Sequence, residues 1–289
     1  MLIRLGYEIA MEFSQDTPVI TALDIDPGRR ADVRWERGFE LFPKVAVRSF
    51  TDVHGNLRRR FVAPAGQLVI RNDLLIEDSG TPDPVLPDAP ETPIADLPSN
   101  SLTYMLGSRY CETDHMSNMA WGLFGNTPTG WARVQAICDY VHERLSFGYG
   151  YARNTRTAAQ AHEERVGVCR DFAHLAVALC RAMNIPARYV NGYLGDIGVP
   201  ADPAPMDFNA WFEAFVDGQW HTFDARHNQP RIGRVVVARG RDATDVPMVH
   251  SFGQHLLKKF EVWTHEHDDG VRVSPTILPQ DSWPAAAAA

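Results

Sequence analysis

The sequence predicts an α+β protein: a β-rich N-terminal domain over residues 1–78, then a core over residues 101–275 in which helices pack on an antiparallel sheet. Three observations lead there. Strand-like alternation is present, but no helical period shows, before roughly residue 100. Six prolines (Pro82, Pro84, Pro87, Pro90, Pro93 and Pro98) fall within residues 79–100 among acidic and small residues, which marks an extended linker. Beyond it, two stretches with apolar residues at helical spacing precede a hairpin signature.

Taken in order, Ile3, Leu5, Tyr7, Ile9 and Met11 alternate with Arg4, Glu8 and Glu12, so the chain opens on a half-buried strand. VAVRSFTDVHGNLRRRFVA reads as two strands about a Gly-Asn turn, and GQLVIRNDLLIED as a strand pair or one long strand. In the core, Trp131, Val134, Cys138, Val141 and Leu145 form one helical stripe, with Thr129 as its N-cap after Pro128. Val168, Phe172, Leu175, Ala176, Leu179 and Met183 form a second, ended by Asn184 and Pro186. ARYVNGYL, RIGRVVVARG and KKFEVWTHEH read as strands, the last closing the core. Residues 276–289, with their alanine run, read as a disordered tail.

The 289 residues are 45% hydrophobic and 22% charged, which suits a globular protein with a sizeable core. A net charge of −8 argues against non-specific binding to nucleic acid or anionic membranes. MLIRLGYEIAMEF lacks the apolar run of a signal peptide, and no segment reaches the roughly 20 apolar residues of a membrane span. Cys111, Cys138, Cys169 and Cys180 are widely spaced without a CxxC pair, and read as free thiols of a cytoplasmic protein. His265 and His267 share a strand face but lack a third ligand at recognisable spacing, so neither a metal nor another cofactor is expected. The oligomeric state is left open.

Cys169 stands in the first turn of the second helix, after Gly167 and Val168. Unpaired amides and the positive end of the helix dipole favour a thiolate there, and Arg170 adds charge. It is the candidate nucleophile, and such a thiol calls for a base and an orienting acid. His174 lies about 140° around the helix, cannot turn back, and reads as a packed core residue. The hairpin DFNAWFEAFVDGQWHTFD is the better source. With Asp217-Gly218 as its turn, position 216 pairs with 219, 211 with 224 and 209 with 226. Asn209, Trp211, Glu213, Trp220, Thr222 and Asp224 then share one face, with 209 and 224 diagonal neighbours about 7–8 Å apart. A histidine at 209 would be held by Asp224. His221 points the other way, and nothing places His227 near Cys169.

GVCRDFAHLAVALCRAMNIPARYVNGYL, with the hairpin and its continuation ARHNQPRIGR, resembles the core of the bacterial transglutaminase-like superfamily, whose members are described as cysteine proteases. LPSNSLTYMLGSRYC and LSFGYGYARNTRTAAQAHEERVGVC are similar to the stretch leading to that family's nucleophile. The resemblance implies a papain-like core with a Cys-His-Asp triad. Its cysteine attacks a glutamine side-chain amide or peptide-type bond of a peptide or protein, forms a thioester, and passes the acyl group to an amine or water. Carried over by position, Cys169 is the nucleophile, Asp224 the orienting acid, and Asn209 stands where the family's His-Ala-Trp pattern has its histidine.

An amide can hydrogen-bond Asp224 but cannot accept and release a proton. Three alternatives follow: a homologue that binds a peptide or protein without efficient turnover, a form in which a native histidine was replaced, or an enzyme whose base comes from elsewhere. Asn209→His is expected to raise turnover at least about a hundredfold. Tyr149 and Tyr151 read as buried packing or cleft lining, and Asp171 as a complement to the helix N-terminus.

Overall fold

The apolar alternation that opens the chain becomes a 12-residue strand whose Ile3, Leu5, Tyr7, Ile9 and Met11 are all buried. A computed structural model describes residues 1–267, so the expected tail at 276–289 lies outside the described residues. The N-terminal strands are β1 (Leu2–Phe13), β2 (Thr17–Thr21), β3 (Val33–Glu36), β4 (Glu40–Phe42), β5 (Arg48–Thr51), β6 (Leu57–Ala63) and β7 (Gly66–Glu77). Four α-helices follow among the described residues: α1 (Thr113–Phe124), α2 (Trp131–Arg144), α3 (Ala158–Glu164) and α4 (Cys169–Ala182). The short strands β8 (Ser146–Phe147) and β9 (Val166–Gly167) lie between them. Then come β10 (Ala187–Tyr193), β11 (Asn209–Val216), β12 (Gln219–Phe223), β13 (Val235–Gly240), β14 (Val249–Ser251) and β15 (His255–His267).

The core is α+β, with α4 packed against an antiparallel sheet in the order β12-β11-β10-β13. On one face of that sheet, Phe212, Ala214, Val216 and Phe223 join the buried residues of the helices. Tyr189, Tyr193, Val235 and Val237 pack with the inward residues of β1 in a second cluster. The β11–β12 hairpin has the expected register, Val216 opposite Gln219 and Phe212 opposite Phe223. Its turn residues Asp217 and Gly218 both have positive φ, 50° and 76°, the requirement of a type I′ turn.

Two expectations are corrected. The strand KKFEVWTHEH does not close the core: it belongs to β15, which pairs along β1 in the N-terminal sheet of order β15-β1-β7-β3. Its neighbour β14 pairs with β2, so residues 249–267 return to the N-terminal strands. The N-cap of α2 is Gly130 with φ 77°, not Thr129. A Cβ there would lie 2.3 Å from the Ala89 carbonyl oxygen, which accepts a hydrogen bond from Trp131 N at 3.0 Å.

Residues 79–100 form a strap tied down on the core. Asp83 accepts from Arg231 N and Arg234 Nε at 2.9 and 2.8 Å. Pro90 O accepts from Asp217 N at 3.0 Å, and Thr92 Oγ1 from Gly218 N at 2.9 Å, so the strap also holds the hairpin turn. Among the described residues no helix is long and apolar enough to cross a membrane.

Candidate active site

Cys169 is the first residue of α4, and it is half-buried, whereas Cys111, Cys138 and Cys180 are buried. The helix start is held from three sides. Val168 N donates to Asp171 Oδ2 at 2.9 Å, which caps the helix and answers the dipole as the sequence suggested. The same oxygen accepts from Arg156 Nη1 at 3.0 Å, with side-chain exposures of 5% and 1%. Gly167 permits this approach, because a Cβ there would lie 2.6 Å from Asp171 Cβ.

Across from the thiol lies the start of β11. Cys169, Asn209 and Ala210 line one cavity of about 880 Å³, together with Arg170, Tyr189 and Asp207. Its far wall comes from the N-terminal sheet, with Ile9 and Met11 of β1 and Leu257 and Phe260 of β15. Burial pushes the Cys169 thiol up to about 11; Arg226 pulls it down, Asp207 pushes it up, and the amides of Ala210 and Arg170 lower it. Burial pushes Cys111 further, to about 12, and raises Cys138 and Cys180 as well.

The side chain at 209 is not bonded to Asp224. Asn209 Oδ1 accepts from Arg226 Nη1 at 2.9 Å, and its Nδ2 donates to Leu194 O at 3.3 Å. Asp224 is committed elsewhere: Oδ1 accepts from the amides of Arg226 and His227 at 3.0 Å each. Its Oδ2 meets His227 Nδ1 at 2.9 Å and Arg234 Nη2 at 2.8 Å. Burial acts to raise this carboxyl, but Arg234 and the bonds from His227 outweigh it and hold it far below the usual carboxylate range. Four donors fill both oxygens, so an imidazole placed at 209 would find no free acceptor.

Other histidines have structural places. His174 is fully buried between Tyr110 and Tyr189, each ring centroid 4.9 Å away, and its Nε2 accepts from Ala243 N at 3.1 Å. Burial lowers it to about 3. His221 meets Trp131 edge-on and is not among the residues that line the cavity. His265 and His267 sit on β15 opposite Arg4 and Leu2, away from the thiol. Tyr149 and Tyr151 are exposed rather than buried packing, and Tyr149 lines a second cavity with Asn209, Arg226 and His227.

Arg226 and His227 are the site residues that motif reasoning passed over. The signal for Arg226 was present in the register, which set position 226 opposite 209. His227 was legible only as a histidine three residues after Asp224.

Residues 118–225 match the family model described as Transglutaminase-like superfamily. The crystal structure of "a Putative Cysteine Protease from Cytophaga hutchinsonii" is similar over 93% of this chain and 91% of that one, with 27% identity and a TM-score of 0.79. An uncharacterized protein of Mycobacterium leprae is 38% identical over 115 residues, 39% of this chain. Another, from Mycobacterium tuberculosis, is 32% identical over 159 residues, 50% of this chain. The matched stretches span 41% and 48% of those two proteins' own lengths.

Proposed function

Because this chain belongs to the transglutaminase-like superfamily, we propose that it is a thiol acyl transferase or amide hydrolase working through an acyl thioester on Cys169, with peptides or proteins as substrates. The observation that carries this reading is Cys169 itself, half-buried at a helix start and lining a cavity of about 880 Å³. Its sulfur pair attacks a carbonyl carbon, the C–N bond of the amide breaks, and the nitrogen leaves as an amine or ammonia with a proton from solvent. The acyl group then passes from sulfur to an amine or water. Asn209 supplies no base, so attack on amides and release of the acyl group are both slow. Four free, widely spaced cysteines support a cytoplasmic setting.

A non-catalytic role, in which the cleft binds a peptide, is the second reading. It is favoured by Asn209, both ends of whose amide are already hydrogen-bonded. Exposure to p-nitrophenyl acetate with intact-mass detection separates the two. The proposed function predicts one acetyl group per chain on Cys169, little steady release, and no adduct in Cys169→Ala. Tight peptide binding without any covalent adduct would establish the second reading instead.

A further inference from the structure

Asn209 occupies its position as a clamp. Its oxygen receives Arg226 Nη1 at 2.9 Å, and the Arg226 guanidinium lies on the Phe147 ring, 3.7 Å from the centroid. Phe147 belongs to β8 and stands opposite Gly167 of β9, two residues before Cys169. The backbone of Arg226 is fixed as well, since its amide donates to Asp224 and its carbonyl accepts from His142 Nδ1 at 2.9 Å. A cation is therefore held between the hairpin and the segment that delivers the thiol.

Other charged groups face Cys169 from each neighbouring element. Asp207 precedes β11, Tyr189 lies on β10, and Arg153 precedes α3. Arg170 follows Cys169 on α4, and His255 begins β15. Tyr149, after β8, is itself raised, first by burial and also by the neighbouring thiol. Of these side-chain charges, Arg226 acts most strongly on it, and Asp207 opposes.

We propose that Arg226, clamped by Asn209, is the cationic partner of the Cys169 thiolate, and that the cleft accordingly takes thioesters as acyl donors. The inference rests on Cys169 being the nucleophile. A guanidinium stabilises a thiolate but neither accepts nor delivers a proton in the neutral range. Cleavage of an amide needs a proton on the departing nitrogen, which an imidazolium would give and Arg226 cannot. A thioester needs none. The Cys169 sulfur pair forms a bond to the carbonyl carbon, the donor's C–S bond breaks, and its electron pair leaves on the donor sulfur as a thiolate. An amine then takes the acyl group from Cys169, its proton goes to solvent, and the Cys169 thiolate returns. His227 does not supply the missing proton: its Nδ1 is engaged by Asp224, and unlike Arg226 it is not among the groups that act most on the Cys169 thiol.

The test uses the whole chain with an N-acetylcysteamine thioester, the primary amide of the same acyl group, and iodoacetamide as a control, each read by intact mass and peptide mapping. The thioester should acylate Cys169 at a rate that climbs about tenfold per pH unit from pH 7 to 10 without levelling, as a thiol near 11 requires. The amide should react at least about a hundredfold more slowly. Arg226→Gln should slow thioester acylation about tenfold at pH 8 and move the profile to higher pH, and Arg226→Lys should restore most of the rate. Circular dichroism reports whether the variants fold, and Asn209→Ala, which releases the clamp and keeps the charge, should give a smaller slowing.

Equal rates for amide and thioester, a plateau near pH 6–7, or an unaltered profile in folded Arg226→Gln would overturn the inference. If iodoacetamide also fails to label Cys169, the nucleophile assignment falls with it. Labelling by iodoacetamide alone overturns only the thioester inference.

Discussion

The two walls of the cleft differ in what their hydrogen bonds accomplish. On the helix wall, Gly167, Asp171 and Arg156 all hold the start of α4, and their bonds leave Cys169 half-buried at the cavity. On the hairpin wall the bonds close in on themselves: Asn209 holds Arg226, and Asp224 is filled by Arg226, His227 and Arg234. One wall thus presents a thiol, and on the other the Asn209 amide and the Asp224 carboxylate are both engaged by neighbouring donors.

If this contrast is right, substitutions on the helix wall damage the fold and those on the hairpin wall damage chemistry. Asp171→Ala leaves the Arg156 charge buried and short of a partner, and is expected to cost about 3 kcal/mol in urea unfolding. A loss under about 1 kcal/mol would show that the helix start does not depend on that pair. Acid stability comes next. His174 is near 3 in the folded chain, against an unfolded value near 6.5, so below 6.5 the unfolded chain binds a proton that the folded chain refuses. Its contribution is complete above about pH 6.5 and falls by about 1.4 kcal/mol per unit as pH drops toward 3. His174→Gln, whose amide oxygen can still accept from Ala243 N, should flatten that slope, and an unchanged slope would assign it to other groups.

Thiol reactivity gives a smaller contrast. With Cys169 near 11 and Cys111 near 12, alkylation at pH 8 should favour Cys169 by at least about tenfold, before differences in access are counted. Equal labelling of a buried cysteine would break the distinction between the walls. The smallest effect is expected for Asn209→Ala, which removes hydrogen bonds at a half-buried position and should change stability by about 1 kcal/mol or less.

Much of this arrangement is legible in the sequence because it follows from short-range rules. The stripe of α4, the Asp217-Gly218 turn and the alternation of β1 each depend on neighbours within a few residues, and each appears in the fold. Helix α1 escaped notice because it buries only Met116, Ala120 and Phe124, too narrow a stripe to stand out. Helix α3 is seven residues long, although its capping box of Thr157 and Gln160 was a readable signal. The return of β15 to β1 joins residues about 250 positions apart, a pairing that no local pattern encodes. At the site, register set 209 and 224 on one face, but the paired strand ends at Phe223, and register could not say which donors would reach Asp224 first. Arg234 and His227 lie beyond β12, and a loop's path is set by the whole structure.

The expectation that Asn209→His alone restores turnover changes for that reason. The most direct measurement compares ammonia release from a glutaminyl peptide by the native chain, Asn209→His, His227→Ala and the double variant. Removing the His227 ring opens one acceptor place on Asp224 Oδ2, so the double variant should exceed the native chain by at least about a hundredfold, while Asn209→His alone gains less than about tenfold. A full gain from Asn209→His alone would show that Asp224 is free to orient an imidazole, and native turnover matching the double variant would place the base on another residue.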